Sequence, residues 1–150
     1  MLLEDQADPS MLNINGENVL HIAAKESHYP IAKRLIEYTI ETKDKKSCTE
    51  LVNKPNKNGE SSVHYAANLT EKNRHYENED RDIMRLLLEN GGNVFLETIE
   101  KSETPVHYCS KSGNTNALQE IISFLPPLDA QLACNKTAKV CHFDHSFIID

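Results

Sequence analysis

One phrase occurs three times at a fixed interval. Asn18-Val-Leu-His-Ile-Ala-Ala24, Ser61-Ser-Val-His-Tyr-Ala-Ala67 and Thr104-Pro-Val-His-Tyr-Cys-Ser110 place His21, His64 and His107 43 residues apart and then 43 again. A fixed period in this range, with the same small-residue helix start each time, marks an array of units that bury their apolar faces only against their neighbours. Asn18, Ser61 and Thr104 fill one position in the three units, and all are favoured N-caps. Pro105 follows at N1, as a helix start prefers. Cys109 takes the place of Ala23 and Ala66, where a small apolar side chain lets helices approach, so it reads as a buried thiol.

The phrase resembles the T-P-L-H-x-A signature of ankyrin repeats, most closely at Thr104 to His107. That resemblance implies an all-α solenoid of stacked helix pairs joined by β-turn fingers. An ankyrin unit is about 33 residues long, so each interval carries a surplus that can be located. In the first unit Ile31, Ala32, Leu35 and Ile36 follow the turn at Glu26-Ser27-His28 at helical spacing. The surplus there lies between Tyr38 and the turn at Lys57-Asn58-Gly59, extending or following the second helix. In the second unit it lies between the helices, as a polar stretch from Thr70 to Arg81 ahead of Ile83, Met84, Leu87 and Leu88. The third unit, closing on Leu118, Ile121 and Ile122, needs none. The expected division is the tail of a preceding repeat at 1–14, repeats at 15–56, 57–99 and 100–127, and a partial or irregular segment at 128–150. The whole reads as a fragment of a longer array. Gly16 and Gly59 each follow Asn in a tight turn, and Gly113 makes the bend between paired helices.

A net charge of -7, a mean hydropathy of -0.55 and 39% hydrophobic residues suit a thin, elongated protein. No window approaches the ~18 apolar residues of a membrane span, and no basic-then-apolar leader opens the chain. A nucleic-acid partner needs a clustered basic face, whereas the densest run, Lys43-Asp-Lys-Lys46, is short and mixed. Catalytic fingerprints and phosphate loops do not occur. One histidine per stacked unit keeps His21, His64 and His107 apart, each hydrogen-bonding at the start of its helix and tying one unit to the next. Cys134, Cys141, His142 and His145 contain zinc-binding atoms, but not at the paired spacing of structural sites. The chain is therefore expected to be non-catalytic, with neither metal nor cofactor.

In wording the chain resembles one group in particular, the cytoplasmic ankyrin array of TRPN (NompC-type) transient receptor potential channels. The residues that carry this are Gly16-Glu-Asn-Val-Leu-His-Ile-Ala-Ala-Lys-Glu26, Leu51-Val-Asn-Lys-Pro-Asn56, the stretch from Asp82 to Val94, and Glu103-Thr-Pro-Val-His-Tyr-Cys-Ser-Lys-Ser-Gly-Asn114. The resemblance implies a cytoplasmic tether between a mechanosensitive cation channel and microtubules, flanked by further repeats, with no membrane insertion of this segment itself. The general family implies the other reading, a free-standing adaptor that binds a soluble protein. On either reading the expected partner contacts are the finger tips Asn58, Glu60, Lys101 and Glu103 and the inserted loop at Arg74, His75 and Tyr76.

Overall fold

The computed structural model describes residues 8–70, 72 and 82–141, with side chains up to residue 136. These residues form helices and turns, with no strand among them: Val19–Lys25 (α1), Tyr29–Thr42 (α2), Lys45–Asn53 (α3), Ser62–Ala67 (α4), Ile83–Glu89 (α5), Pro105–Ser112 (α6), Thr115–Phe124 (α7) and Pro127–Cys141 (α8). This is the stacked helical solenoid expected from the repeated phrase.

Local chemistry sets each boundary. The short helices α1, α4 and α6 start at the N-caps Asn18, Ser61 and Thr104, and α6 ends on Gly113 in the left-handed region at φ +70°. The partner helices α5 and α7 are capped by side-chain oxygens, Asp82 accepting from the Met84 N–H at 2.7 Å and Asn114 from the Ala117 N–H at 3.1 Å. Helices α1, α4 and α6 pack side by side as an inner rank, and α5 packs along α7 in an outer rank.

The buried stripe of α2 is Ala32, Leu35, Ile36 and Thr39, an i, i+3, i+4, i+7 face. Ile31 falls one position outside it and is 48% exposed, contrary to the spacing read from sequence. In α7 the core takes Ala117 and Ile121, while Leu118 is only partly buried and Ile122 is 40% exposed. In α5, Ile83, Met84, Leu87 and Leu88 are all buried.

The surplus after α2 is a separate helix. Chain direction changes at Lys43, and the Asp44 carboxylate accepts the Ser47 N–H at 2.6 Å to start α3. Helix α3 packs against α2 and α4, so that α2 meets α5 only marginally. Its Asn53 side chain donates to the Gly91 carbonyl at 2.8 Å and accepts the Asn93 N–H at 2.7 Å, clasping the turn after α5. The second insertion, including Arg74, His75 and Tyr76, lies outside the described residues apart from Thr70 and Lys72. Beyond α7, Pro126 and Pro127 end one helix and open another, and α8 runs through the first part of the segment that carries no repeat phrase.

Candidate interaction surface and the histidine ladder

Each unit opens with a finger built on the same bonds. In the first, the Asn13 side-chain oxygen accepts the N–H groups of Asn15 and Glu17, both at 2.9 Å; Asn56 does the same for Asn58 and Glu60, again at 2.9 Å. In the third, Thr98 Oγ1 accepts the Glu103 N–H at 3.0 Å across one additional residue. Successive fingers are joined by backbone bonds, Lys57 N–H to the Asn15 carbonyl at 3.0 Å and Ile99 N–H to the Asn58 carbonyl at 2.9 Å. Gly59 sits in this seam at φ +83°, where an added Cβ would meet Ile99 N at 3.0 Å and Thr98 Cα at 3.1 Å.

The three histidines are buried, at 0%, 0% and 1% exposure. Nδ1 of His21, His64 and His107 accepts the N–H of Asn18, Ser61 and Thr104 at 3.1, 3.1 and 3.0 Å. Nε2 of His21 then donates to the Glu60 carbonyl at 3.1 Å, and Nε2 of His64 to the Glu103 carbonyl at 3.1 Å. Each of these two imidazoles thus ties its own helix start to the next finger. Burial holds all three histidines below the ordinary value of 6.5, because the charged form loses solvation. At His21 the Asn18 amide oxygen also lies 2.7 Å from Nδ1, a contact that a proton on that nitrogen would turn favourable.

A second set of inter-unit bonds carries its own 43-residue register, which the His-centred sequence reading passes over. Tyr65 donates its hydroxyl to Glu17 Oε1 at 2.5 Å, and Tyr108 donates to Glu60 Oε1 at 2.7 Å. The rings of Tyr65 and Tyr108 also stand edge-on to His21 and His64, with centroids 5.7 and 5.2 Å apart. Burial and the bonded carboxylates push both phenols well above their ordinary value. The recurrence of Glu17, Glu60 and Glu103 at one interval, and of Tyr65 and Tyr108 at the same interval, is the signal that exposes the pairing.

These bonds separate the four finger residues expected to meet a partner. Asn58 and Lys101 stand exposed at the tips. Glu60 is half-buried between Asn56 and Tyr108, and Glu103 is buried with its carboxylate paired to Lys111, so neither protrudes. The Glu60 carboxylate instead ties its finger to the next unit, as that of Glu17 does, while the Glu103 carboxylate is held within its own unit. The fingers also expose apolar side chains: Ile14 and Ile99 occupy the same finger position in the first and third units, with exposed Lys57 there in the second, and are 85% and 71% exposed. Ile22, at 39%, shares its position on the first helix with Tyr65 and Tyr108.

Cys109 is buried at 2%, beside Ala23 at 3% and Ala66 at 1% in the corresponding places. Among the described residues no group of three or more His, Cys, Asp or Glu is placed to hold a metal ion; of the C-terminal candidates, the Cys141 side chain, His142 and His145 lie outside that description. No described helix is long and apolar enough to cross a membrane.

No curated protein matches the chain. Among solved structures, a chain in the crystal structure of the yeast ribosomal protein Rps3 in complex with its chaperone Yar1 superposes with a TM-score of 0.62 at 16% identity, covering 77% of this chain and 75% of that one. At that identity the likeness is one of fold. Neither result singles out the TRPN-type channels. The family model described as ankyrin repeats (3 copies) matches residues 1–77. With the capped helix pairs, the fingers and the histidine ties in place, the chain belongs to the ankyrin-repeat family.

Proposed function

We propose that the chain is a non-catalytic protein-interaction module that holds a soluble protein partner along its fingers and first helices, in the manner of an adaptor. The observation that carries this reading is the exposure of Ile14 and Ile99 at 85% and 71% in one finger row, next to the first-helix row of Ile22, Tyr65 and Tyr108. Tyr65 and Tyr108 reach finger carboxylates, so the two rows adjoin. Exposed Lys57 holds the same position in the middle finger, between Ile14 and Ile99, and with Asn58 and Lys101 at the tips this mixture of apolar and polar groups has the make-up of a protein contact surface. The loop with Arg74, His75 and Tyr76 remains a second candidate contact on sequence grounds. Family membership supports the reading, and the yeast structure of similar fold is itself a complex between a ribosomal protein and its chaperone. The tether between a channel and microtubules rests on sequence wording alone, and the adaptor takes precedence over it.

The test is affinity capture with the native chain and with an Ile14→Asp/Ile99→Asp variant that keeps the same melting midpoint. A partner held by the first and lost by the second supports the strip. Identical captured sets would remove it from the interface.

A further inference from the structure

Three Asn–Gly steps stand in the chain, at Asn15–Gly16, Asn58–Gly59 and Asn90–Gly91. The pair is chemically labile, because a following glycine leaves its backbone nitrogen open to the asparagine side chain. That nitrogen attacks the side-chain carbon Cγ, a C–N bond forms, and the amide nitrogen leaves as ammonia, carrying the glycine proton with it. Water then opens the resulting succinimide at one of its two carbonyls, giving aspartate or an isoaspartate whose main chain runs through the β-carbon. No reactant besides water enters.

The fold treats the three steps differently. All three glycine N–H groups are engaged, Gly16 with the Asn13 carbonyl at 2.9 Å, Gly59 with that of Asn56 at 3.0 Å and Gly91 with that of Leu88 at 3.1 Å, so the reaction waits for the turn to open. What differs is how firmly each turn is held. Asn90 donates its side chain to the Leu86 carbonyl at 2.8 Å, and the Gly91 carbonyl accepts from Asn53 at 2.8 Å. The second finger is bonded on both sides, by the Lys57 N–H to the first finger and by the Asn58 carbonyl to Ile99, and Gly59 is buried. Among the described residues the first finger has only the bond from Lys57; its Gly16 is half-buried and its Asn15 exposed. Of the three turns it opens most readily.

We propose that Asn15–Gly16 is a site of spontaneous deamidation that loosens the finger seam, while the fold shields Asn58 and Asn90 from the same reaction. In the isoaspartyl form the Asn15 carbonyl, which accepts the Lys57 N–H at 3.0 Å, becomes a free carboxylate beside a lengthened main chain, so the first finger loses its register with the second. Opening the ring at either carbonyl also adds a negative charge where the Asn15 side chain hydrogen-bonds to the Glu17 carboxylate, the acceptor of the Tyr65 hydroxyl. Both bonds that join the first finger to the second unit are weakened together. The chemistry depends on no partner, so its failure leaves the adaptor reading standing.

The experiment holds the full chain at pH 8 and 37 °C, folded and in urea, and maps timed digests by mass, with isoaspartate detected by enzymatic methylation. In the folded chain Asn15 converts about three- to tenfold faster than Asn58, the effect of one seam hydrogen bond, and Asn90 is slowest. In urea the three rates converge. Isoaspartyl chains separated by anion exchange show fast amide exchange at Lys57 while Ile99 keeps its protection. Asn58 converting as fast as Asn15 in the folded chain overturns the proposal, and so do folded rates that simply follow those in urea. Unchanged protection of Lys57 in the isoaspartyl chain would show that the seam survives the reaction, and the proposal would be wrong.

Discussion

The Tyr108 hydroxyl donates to the Glu60 carboxylate at 2.7 Å across 48 residues of sequence, and Tyr65 repeats the bond with Glu17 over the same separation. Burial pushes the Glu60 carboxyl up, but hydrogen bonds from Asn56, Tyr108 and Asn58 outweigh it and leave the group below its ordinary value. Removing the hydroxyl in Tyr108→Phe leaves a half-buried carboxylate short of one donor. The expected loss is about 1–2 kcal/mol in urea unfolding. In Tyr108→Phe/Glu60→Gln the second change should cost much less than it does alone, and full additivity would show that the pair is not coupled.

Acid should loosen the stack in two stages. The unfolded chain binds protons on histidine near 6.5, whereas burial keeps the folded His64 and His107 below that value. Because the unfolded state binds more protons, this stability is complete above about pH 6.5 and declines as pH falls towards the folded values, each tenfold loss of proton affinity on folding being worth about 1.4 kcal/mol. Around His64 the Glu60 carboxylate opposes the shift; around His107, Glu103 and Glu97 oppose it while Lys111 and Lys136 add to it. The lower stage comes from Glu17, whose carboxyl is held below 4.5 first by the Tyr65 hydroxyl and then by Asn13, and whose contribution disappears as it protonates. Melting midpoints at pH 7.5, 6, 5 and 4 check this. A flat profile from 7.5 to 5 would be the contrary result.

Ser102 occupies the turn position of Gly16 and Gly59, and it sits in the left-handed region at φ +50° where the two glycines lie at +76° and +83°. A residue with a Cβ pays roughly 1 kcal/mol there, part of which glycine returns through its freedom in the unfolded chain. Ser102→Gly should therefore stabilise by about 0.5 kcal/mol. The reverse change at the tightest seam, Gly59→Ala, should destabilise by about 2 kcal/mol or more, since its Cβ would press on Ile99 N and Thr98 Cα at 3.0 and 3.1 Å. Thermal unfolding of the two variants should give shifts of opposite sign.

Leu87 is fully buried in α5, so Leu87→Ala should cost about 2–5 kcal/mol. Asn53→Ala tests the inserted helix separately, because it removes both bonds to the turn after α5 and leaves the core untouched. It should cost about 1–2 kcal/mol and speed amide exchange at Gly91 to Asn93. Unchanged exchange there would mean that α3 does not brace the turn.

The helix pairs were legible because the His-centred phrase, the caps and the turn glycines are local signals, each enforced by a few neighbouring backbone groups. Helix α3 was legible only as length. Its cap, Asp44, lies within a charged run, and three alternating Lys and Asp residues carry no apolar period from which to read a helix start. The exposure of the finger residues was harder still to read. Glu60 and Glu103 belong by type on a surface, and only the placement of Tyr108 and Lys111 draws them inward. Ile14 and Ile99 belong by type in a core, and the finger geometry leaves them out in solvent.

The histidine ties all run in one direction. At each junction the helix donates forward through Nε2 to a finger carbonyl, and the finger donates backward through its backbone to the finger before it. A stack made this way has polarity, with unlike ends. Two C-terminal ends brought face to face would set the His107 donor against its own copy, so twofold symmetric pairing through that face is disfavoured. Growth by head-to-tail addition reproduces the native junction at every step, and it has no built-in point of closure.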